Sequence, residues 1–336
     1  MPNCGSQCWL CDLPIRFDTY KGCSHVCKYC FVQRKSTLEI GMGESAIALK
    51  NFIEGKRTRG TNWCDWNIPI HWGGMSDPFQ PCERTHKRSL EALKVLAETK
   101  YPAVISTKGK ICIEEPYISL IKKGNIVMQV SMLCSKYDEL EKGAPTFEER
   151  LHMLNVLSKS AKRVIVRCQP YIHDVFEQVY ENIQKFAQNG AYGVIFEGMK
   201  FVKNYKGLVK VAGDYYQPKE VLKHDFQRFK AECHKHGLRF YSGENRLRAM
   251  GDSLTCCGID GLEGFKPNTY NLNHLINNQL GKPSIAQQRT ATANCFRACL
   301  QETAMGNYAD THSFVEMTSF FYNKKRKMVE SVLKGE

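Results

Sequence analysis

The sequence predicts an α/β chain: a full or partial (β/α)6-type barrel with a helical C-terminal extension. Three observations predict it. Short apolar runs rich in β-branched residues recur along the chain, amphipathic helical patterns lie between them, and no Gly/Ser linker, low-complexity tract or long-period repeat divides the 336 residues. Strand–helix alternation of this kind requires right-handed crossovers, and therefore a parallel sheet.

The elements follow in order. "IRFDTYKG", ending at Gly22, reads as a first strand. "GMGES", Gly41 to Ser45, is too short for a dinucleotide fingerprint and reads as a helix start. The runs "NIPIHW", "AVIST", "NIVMQVSM", "RVIVRCQP" and "GVIFEGM" each read as a buried strand. Phe147, Leu151, Leu154 and Leu157 mark one helix. Between Asp174 and Gly190, Val175, Val179, Ile183 and Phe186 share one face, with Asp174 expected as N-cap and Gly190 as the stop. From Lys219 to Gly237, Leu222, Phe226, Phe229 and Cys233 do the same. Beyond about Ser284 strand patterns cease and the chain looks helical. The expected organisation is an N-terminal Cys-rich segment (1–14), the barrel (15–245), and a Cys-containing loop with the helical extension (246–336).

Composition narrows the function classes. The chain is 43% hydrophobic, enough for a sizeable core, and nothing approaches the run of about 18 apolar residues a membrane span needs. The opening residues are polar and Cys-rich, unlike a secretory signal, so the expectation is a soluble, cytoplasmic protein without a membrane partner. A net charge of +13 favours anionic partners such as nucleic acid, nucleotides or other phosphorylated substrates. The Lys-rich stretch "GMKFVKNYKGLVKV", with Tyr205 inside it, reads either as a phosphate-lined groove or as a solvated loop.

Sixteen cysteines in such a chain point to metal or redox chemistry rather than disulfides, because six of them crowd into the first thirty residues. Cys4, Cys8 and Cys11 are spaced C-x3-C-x2-C, and Cys23, Cys27 and Cys30 repeat that spacing. Those outside clusters, such as Cys112 and Cys168, read mostly as small core residues. Three thiolates on one loop suit three corners of a [4Fe-4S] cluster, leaving one iron open. Zinc is the competing reading, but zinc sites usually draw paired ligands from two knuckles.

"GCSHVCKYCF" resembles the signature loop of the radical S-adenosylmethionine (SAM) superfamily. "DTYKGCSHVCKYCF", "GGMSDPFQPCE" and "ISTKG" extend the resemblance to its spore photoproduct lyase-like branch, over about residues 15 to 200. The resemblance implies a [4Fe-4S] cluster on Cys23, Cys27 and Cys30 whose open iron chelates SAM, and a reducing partner such as flavodoxin or ferredoxin. It further implies that Tyr29 lies by the adenine, Gly73 and Gly74 approach the SAM amino group, and Lys108 meets the carboxylate. Ser131 would reach the ribose or methionine, and Arg167 or Gln169 would also contact SAM. The photoproduct lyases carry a hydrogen-donor Cys where this chain has Gly74. Cys82 is the candidate substitute, and the departure argues against thymine-dimer lyase activity itself.

Cys4, Cys8 and Cys11 lack the strand context and flanking aromatic of the second group. They are expected to hold a second [4Fe-4S] cluster or a zinc, with a fourth ligand from Cys257 or Cys256, or from Cys295 and Cys299. The expected function is radical modification or repair of a nucleobase, most plausibly in DNA. Two alternatives remain: radical modification of a peptide, protein or small metabolite helped by an auxiliary cluster, and a metal-bearing nucleic-acid-binding protein.

Overall fold

A computed structural model describes residues 1–4, 11–32, 39–56, 68–211, 214–269, 271 and 273–274. In chain order the elements are β1 (Asn3–Cys4), β2 (Ile15–Phe17), β3 (Tyr20–Lys21), β4 (Gly41–Met42), α1 (Ala46–Ile53), β5 (Ile70–Trp72), α2 (Glu83–His86), α3 (Arg88–Thr99), β6 (Ala103–Thr107) and α4 (Tyr117–Lys123). There follow β7 (Ile126–Ser131), α5 (Phe147–Ser158), β8 (Arg163–Tyr171), α6 (Phe176–Gln188), β9 (Gly193–Gly198), β10 (Val209–Val211), β11 (Asp214–Tyr216), α7 (Lys219–Lys235) and β12 (Arg239–Ser242).

One sheet runs β1-β2-β5-β6-β7-β8-β9-β12. Its last seven strands are parallel, and β1 adds antiparallel to β2 with Cys4 opposite Ile15. Among the described residues β12 and β1 remain edges, so the barrel is partial rather than full. "AVIST" forms β6 residue for residue, and the five predicted core runs are all strands.

Alternation along the strands sorts the two faces. Ile105, Met128, Val166, Phe196 and Phe240 pack against helix residues such as Leu93, Leu154, Phe186 and Phe229. Their neighbours Val104, Val127, Ile165, Ile195 and Tyr241 face the other way, into a second cluster completed by Leu13, Cys257, Ile259 and Phe265. Among the described residues this inner face carries no helix. Residues 252–265 cover it instead, held by Arg163 Nη1 donating to the Asp260 carbonyl at 2.7 Å and Tyr241 Oη donating to Asp260 Oδ1 at 2.7 Å.

The helix forecasts hold where the apolar faces were read. Phe147, Leu151, Leu154 and Leu157 are buried on α5, behind a capping box of Thr146 and Glu149. Leu222, Phe226, Phe229 and Cys233 are buried on α7. Ser45 caps α1, accepting from the Ala48 amide. Asp174 is a correction: it lies in a 3-10 turn over His173–Val175, and Val175 precedes α6 without a side-chain cap. The first strand also divides, because the Asp18 and Thr19 carbonyls accept from the Glu44 and Gly43 amides and turn the chain between β2 and β3. The strand β12 and the hairpin β10–β11 were not foreseen. The helical extension from about Ser284, with Cys295 and Cys299, lies outside the described residues. No helix of the described residues is long and apolar enough to cross a membrane.

Candidate cofactor site at the strand ends

The loop carrying Cys23, Cys27 and Cys30 leaves β3 through Gly22, whose φ of 78° and closeness to the Glu39 carbonyl exclude a side chain. Two segments fix its path. Gln80 Oε1 accepts from the Ser24 amide at 2.9 Å while Gln80 Nε2 donates to the Gly22 carbonyl at 3.1 Å. On the other side the Lys28 amide donates to Leu140 O at 2.8 Å and the Gly143 amide to His25 O at 3.1 Å. The His25 ring spans the gap, its Nδ1 2.8 Å from Gly143 O and its Nε2 3.2 Å from Asp77 Oδ2. His25 therefore spaces the loop, and both of its ring nitrogens face protein groups.

Asp77 organises the neighbouring strand end. It accepts from the amides of Phe79 (2.8 Å) and Lys108 (2.6 Å) and from Thr107 Oγ1 (2.7 Å). Burial would push its carboxyl up, but His25 and these donors outweigh it and hold the group at about 2.

All three loop thiols are free, with Cys27 buried and the others half-buried. Burial, then Asp77, pushes the Cys23 thiol up to about 12, and burial pushes Cys27 up against the opposing charge of Lys108. Such thiols ionise when a metal supplies the compensating charge. Among the described residues no three His, Cys, Asp or Glu side chains converge on a single-ion site.

Tyr29 and Lys108 meet at one carboxylate. The Tyr29 hydroxyl donates to Glu141, and Lys108 Nζ lies 3.8 Å from Glu141 Oε1 and 5.7 Å from the Tyr29 ring centre. Burial and Glu141 push the Tyr29 hydroxyl well above its ordinary range. Behind them Arg150 Nη1 sits 2.6 Å from Glu141 Oε2, both side chains 1% exposed, and donates to the Ser131 carbonyl at 2.8 Å. The structure thus gathers Tyr29, Lys108 and Ser131 around one buried ion pair.

Gly73 follows β5 directly with φ 91°, and a Cβ there would lie 2.1 Å from the Ser106 carbonyl oxygen. Gly74 follows against Arg16, whose Nη1 would be 3.4 Å from an added Cβ. Cys82 lies at the start of α2 rather than on a strand end. It is half-buried, and burial and Glu83 push its thiol up to about 11.

By strand alternation Arg16, His71, Ser106, Gln129, Arg167 and Glu197 belong to the inner face, above its apolar layer. His71 Nε2 is 2.8 Å from Ser106 Oγ, which donates to Gln129 Oε1 at 2.8 Å. Arg167 Nη1 donates to Gln129 Oε1 at 3.2 Å, and its Nη2 is 3.5 Å from Glu197 Oε2. Burial, eased by Arg167 and reinforced by Glu244, pushes the Glu197 carboxyl up to about 7.

Of the first cysteine group, Cys8 lies outside the described residues, and of Cys4 the structure describes only the backbone. Cys11 is brought beside Cys256 and Cys257 at the inner face. Arg16 Nη2 donates to Cys11 Sγ at 3.6 Å and Gln129 Nε2 to the Cys257 carbonyl at 3.1 Å. Sharing of a proton with Cys257 draws the Cys256 thiol down, and the Arg248 guanidinium adds to the effect.

Sequence reasoning overlooked Glu141, Arg150, Gln80 and Asp77 as site residues. Asp77 and Gln80 stand inside "GGMSDPFQPCE", where a buried acid and amide between strand and helix were a readable signal. Glu141 had none.

No family model matches this chain. An uncharacterized protein of Mycobacterium tuberculosis and one of Mycobacterium bovis are each 23% identical over 214 residues, 58% of this chain. The chain spans 62% of the length of these relatives. Among solved structures, spore photoproduct lyase complexed with dinucleoside spore photoproduct superposes with a TM-score of 0.54 at 17% identity, covering 68% of this chain and 77% of that one. A mutant of that lyase with bound AdoMet and the same dinucleoside gives 0.53 at 16%, covering 68% and 76%. Streptococcus suis SuiB bound to precursor peptide SuiA gives 0.50 at 13%, covering 69% and 49%. The fold is that of the radical SAM enzymes, and of spore photoproduct lyase among them.

Proposed function

We propose that this chain is a radical SAM enzyme acting on a nucleobase or nucleotide. The observation that carries the proposal is the Cys23–Cys27–Cys30 loop at the C-terminal edge of a parallel partial barrel, the edge where such folds place their chemistry. The donor set fits a [4Fe-4S] cluster: three free thiols on one buttressed loop, with no fourth cysteine in that loop. Held there by Cys23, Cys27 and Cys30, a cluster with SAM would supply one-electron reductive cleavage of SAM, fed by an external reductant such as flavodoxin or ferredoxin, and hydrogen-atom abstraction from a substrate carbon.

The protein's part is positioning. Cys23, Cys27 and Cys30 would hold three irons. Lys108, already turned toward a carboxylate on Glu141, is the cation for the SAM carboxylate. The Gly73–Gly74 backbone leaves room for the amino group, Ser131 borders the ribose side, and Arg167 closes the row from β8. The Glu141–Arg150 pair fixes Tyr29 and Lys108 without being consumed. The covered inner face keeps water from the reacting carbon, which such a radical requires.

The nucleic-acid reading is supported by the net charge and by the β10–β11 hairpin region. That region follows β9 and so belongs to the strand-end side of the sheet. It exposes Lys203, Lys206 and Lys210 together with Tyr205 and Val202, the last two at 58% and 53%. Lysines interleaved with an exposed ring suit a phosphate backbone with an unstacked base. If the base comes from a duplex, it must be flipped out or the duplex distorted. Cys82 is the candidate hydrogen donor, carried by no strand end, so a reaction needing no returned hydrogen fits this chain better than dimer cleavage.

The test is anaerobic turnover with dithionite, SAM and deuterium-labelled oligonucleotides. Deuterium in 5′-deoxyadenosine supports the reading. Robust 5′-deoxyadenosine formation with no transfer from any nucleic acid would move the substrate to a peptide.

A further inference from the structure

We infer that Glu197, with Arg167 beside it, reads the Watson–Crick edge of the substrate base and selects guanine. The inference rests on the nucleobase reading above and adds which base the site takes. Glu197 lies near the C-terminal end of β9, on the inner face, one pleat beyond the apolar Ile195. Arg167 reaches it from β8, with Nη2 3.5 Å from Glu197 Oε2. On the far side β12 has run out into Gly243, whose amide donates to the Phe196 carbonyl at 2.8 Å. A Cβ at Gly243 would lie 2.9 Å from Glu197 Oε2 and 3.0 Å from Glu197 Cβ. The carboxylate therefore rests against bare backbone, with room that a larger residue would take.

The hydrogen bonds single this carboxyl out. His71, Ser106, Gln129 and Arg167 are linked to one another from β5 to β8. Glu197 ends the row, and among the described residues neither of its oxygens accepts a hydrogen bond. Its side chain is nevertheless 33% accessible and that of Arg167 20%, so both can meet a ligand. Burial pushes the carboxyl up to about 7, eased by Arg167 and Arg248 and reinforced by Glu244 and Cys256. Glu197 is an enclosed acceptor short of donors, a state that a ligand rich in N–H groups relieves. Because Arg167 closes the SAM row, that ligand lies beyond it, over β9.

A carboxylate only accepts, at two oxygens side by side. Guanine alone among the DNA bases carries two adjacent N–H donors on its Watson–Crick edge, at N1 and the 2-amino group, with the O6 acceptor next to them. Glu197 matches the donors. Arg167 matches O6 through Nη2, since its Nη1 already donates to Gln129. Thymine would set two carbonyls against the carboxylate, and adenine and cytosine each offer one donor beside a lone pair. A flipped or single-stranded base presents this edge.

The experiment uses the full-length chain, reconstituted anaerobically, and thymine-rich single strands whose central nucleotide is guanine, adenine, cytosine or thymine. Binding is followed by fluorescence anisotropy, and turnover by deuterium passing from the labelled central nucleotide into 5′-deoxyadenosine. The inference expects the guanine strand to bind about tenfold more tightly than the others, or better, and to be the one that gives up deuterium. Glu197→Gln replaces one acceptor with a donor. It should lose the guanine preference and gain affinity for the adenine and cytosine strands, whose edges pair a donor with an acceptor. That gain is a result no loss of folding produces. Equal binding of all four strands, or a wild-type preference for another base in binding or transfer, overturns the inference and leaves the proposed function standing. A Glu197→Gln variant that keeps the guanine ranking also overturns it, and lost SAM binding in that variant would put the carboxyl on the cofactor. 5′-Deoxyadenosine formed with no deuterium from any strand overturns both.

Discussion

Replacing Glu141 by Gln removes the charge that neutralises Arg150 and keeps the side chain's shape. Both partners are 1% exposed and Arg150 Nη1 is 2.6 Å from Glu141 Oε2. At an effective dielectric near 20, opposite unit charges that close attract by roughly 6 kcal/mol before desolvation is counted. Leaving one member of such a pair buried without its partner costs about 3–5 kcal/mol. Arg150 keeps Asp138 Oδ1 at 3.3 Å and the Ser131 carbonyl at 2.8 Å, so the lower end applies: about 3 kcal/mol. Urea unfolding of the reduced, metal-free chain measures it. The double variant Glu141→Gln/Arg150→Met should recover at least half of the loss, because no unpaired charge stays buried. A Glu141→Gln loss below about 1 kcal/mol, or a double variant no better than the sum of the singles, refutes the reasoning.

Three further outcomes are expected. Gly73→Ala must force a Cβ against the Ser106 carbonyl at a left-handed backbone position, so it should cost about 2–4 kcal/mol and abolish SAM binding in calorimetry, whereas Gly207→Ala, at a similar φ of 87° but with open space, should cost only the backbone strain, about 1 kcal/mol. Burial raises Asp18 to about 7, against the pull of the Met75 and Ser76 amides. A raised carboxyl binds its proton more tightly in the folded state, so stability falls as pH rises from about 4 through 7. Asp18→Asn should flatten that limb and gain on the order of 1–2 kcal/mol at pH 8 in urea titrations, after discounting for partial exposure. Lys203→Glu/Lys206→Glu should weaken oligonucleotide binding about tenfold or more and reduce its salt dependence by roughly two phosphate contacts, measured by fluorescence anisotropy; an unchanged slope separates the hairpin from the nucleic-acid site.

Much of this was legible in the sequence because the signals were local. Alternation and apolar runs located β5 to β9, and periodicity located the buried faces of α5 to α7. The Cys23 loop announced itself by spacing and flanking residues. Cys112, Cys134, Cys168 and Cys233 were read as core and are buried. What escaped depends on contacts distant in sequence. Glu141 serves Tyr29 from 112 residues away, and Gln80 secures Ser24 from 56. Asp174 was assigned as a cap from residue type alone, yet a 3-10 turn shifts the helix start beyond it. The strand "RFYS" is too short to stand out beside the polar residues that flank it. The approach of Cys11 to Cys256 and Cys257, by contrast, was anticipated as a candidate partnership for the first cysteine group, although the segment over 252–269 that folds back across the sheet carries no strand or helix pattern.

The most direct test of the central claim is 5′-deoxyadenosine formation by the anaerobically reconstituted chain given SAM and dithionite, compared with Cys27→Ala. The account predicts 5′-deoxyadenosine and methionine in equal amounts from the wild type and none above background from Cys27→Ala. A wild type loaded with iron that leaves SAM intact, or a Cys27→Ala variant that still cleaves it, would contradict the account.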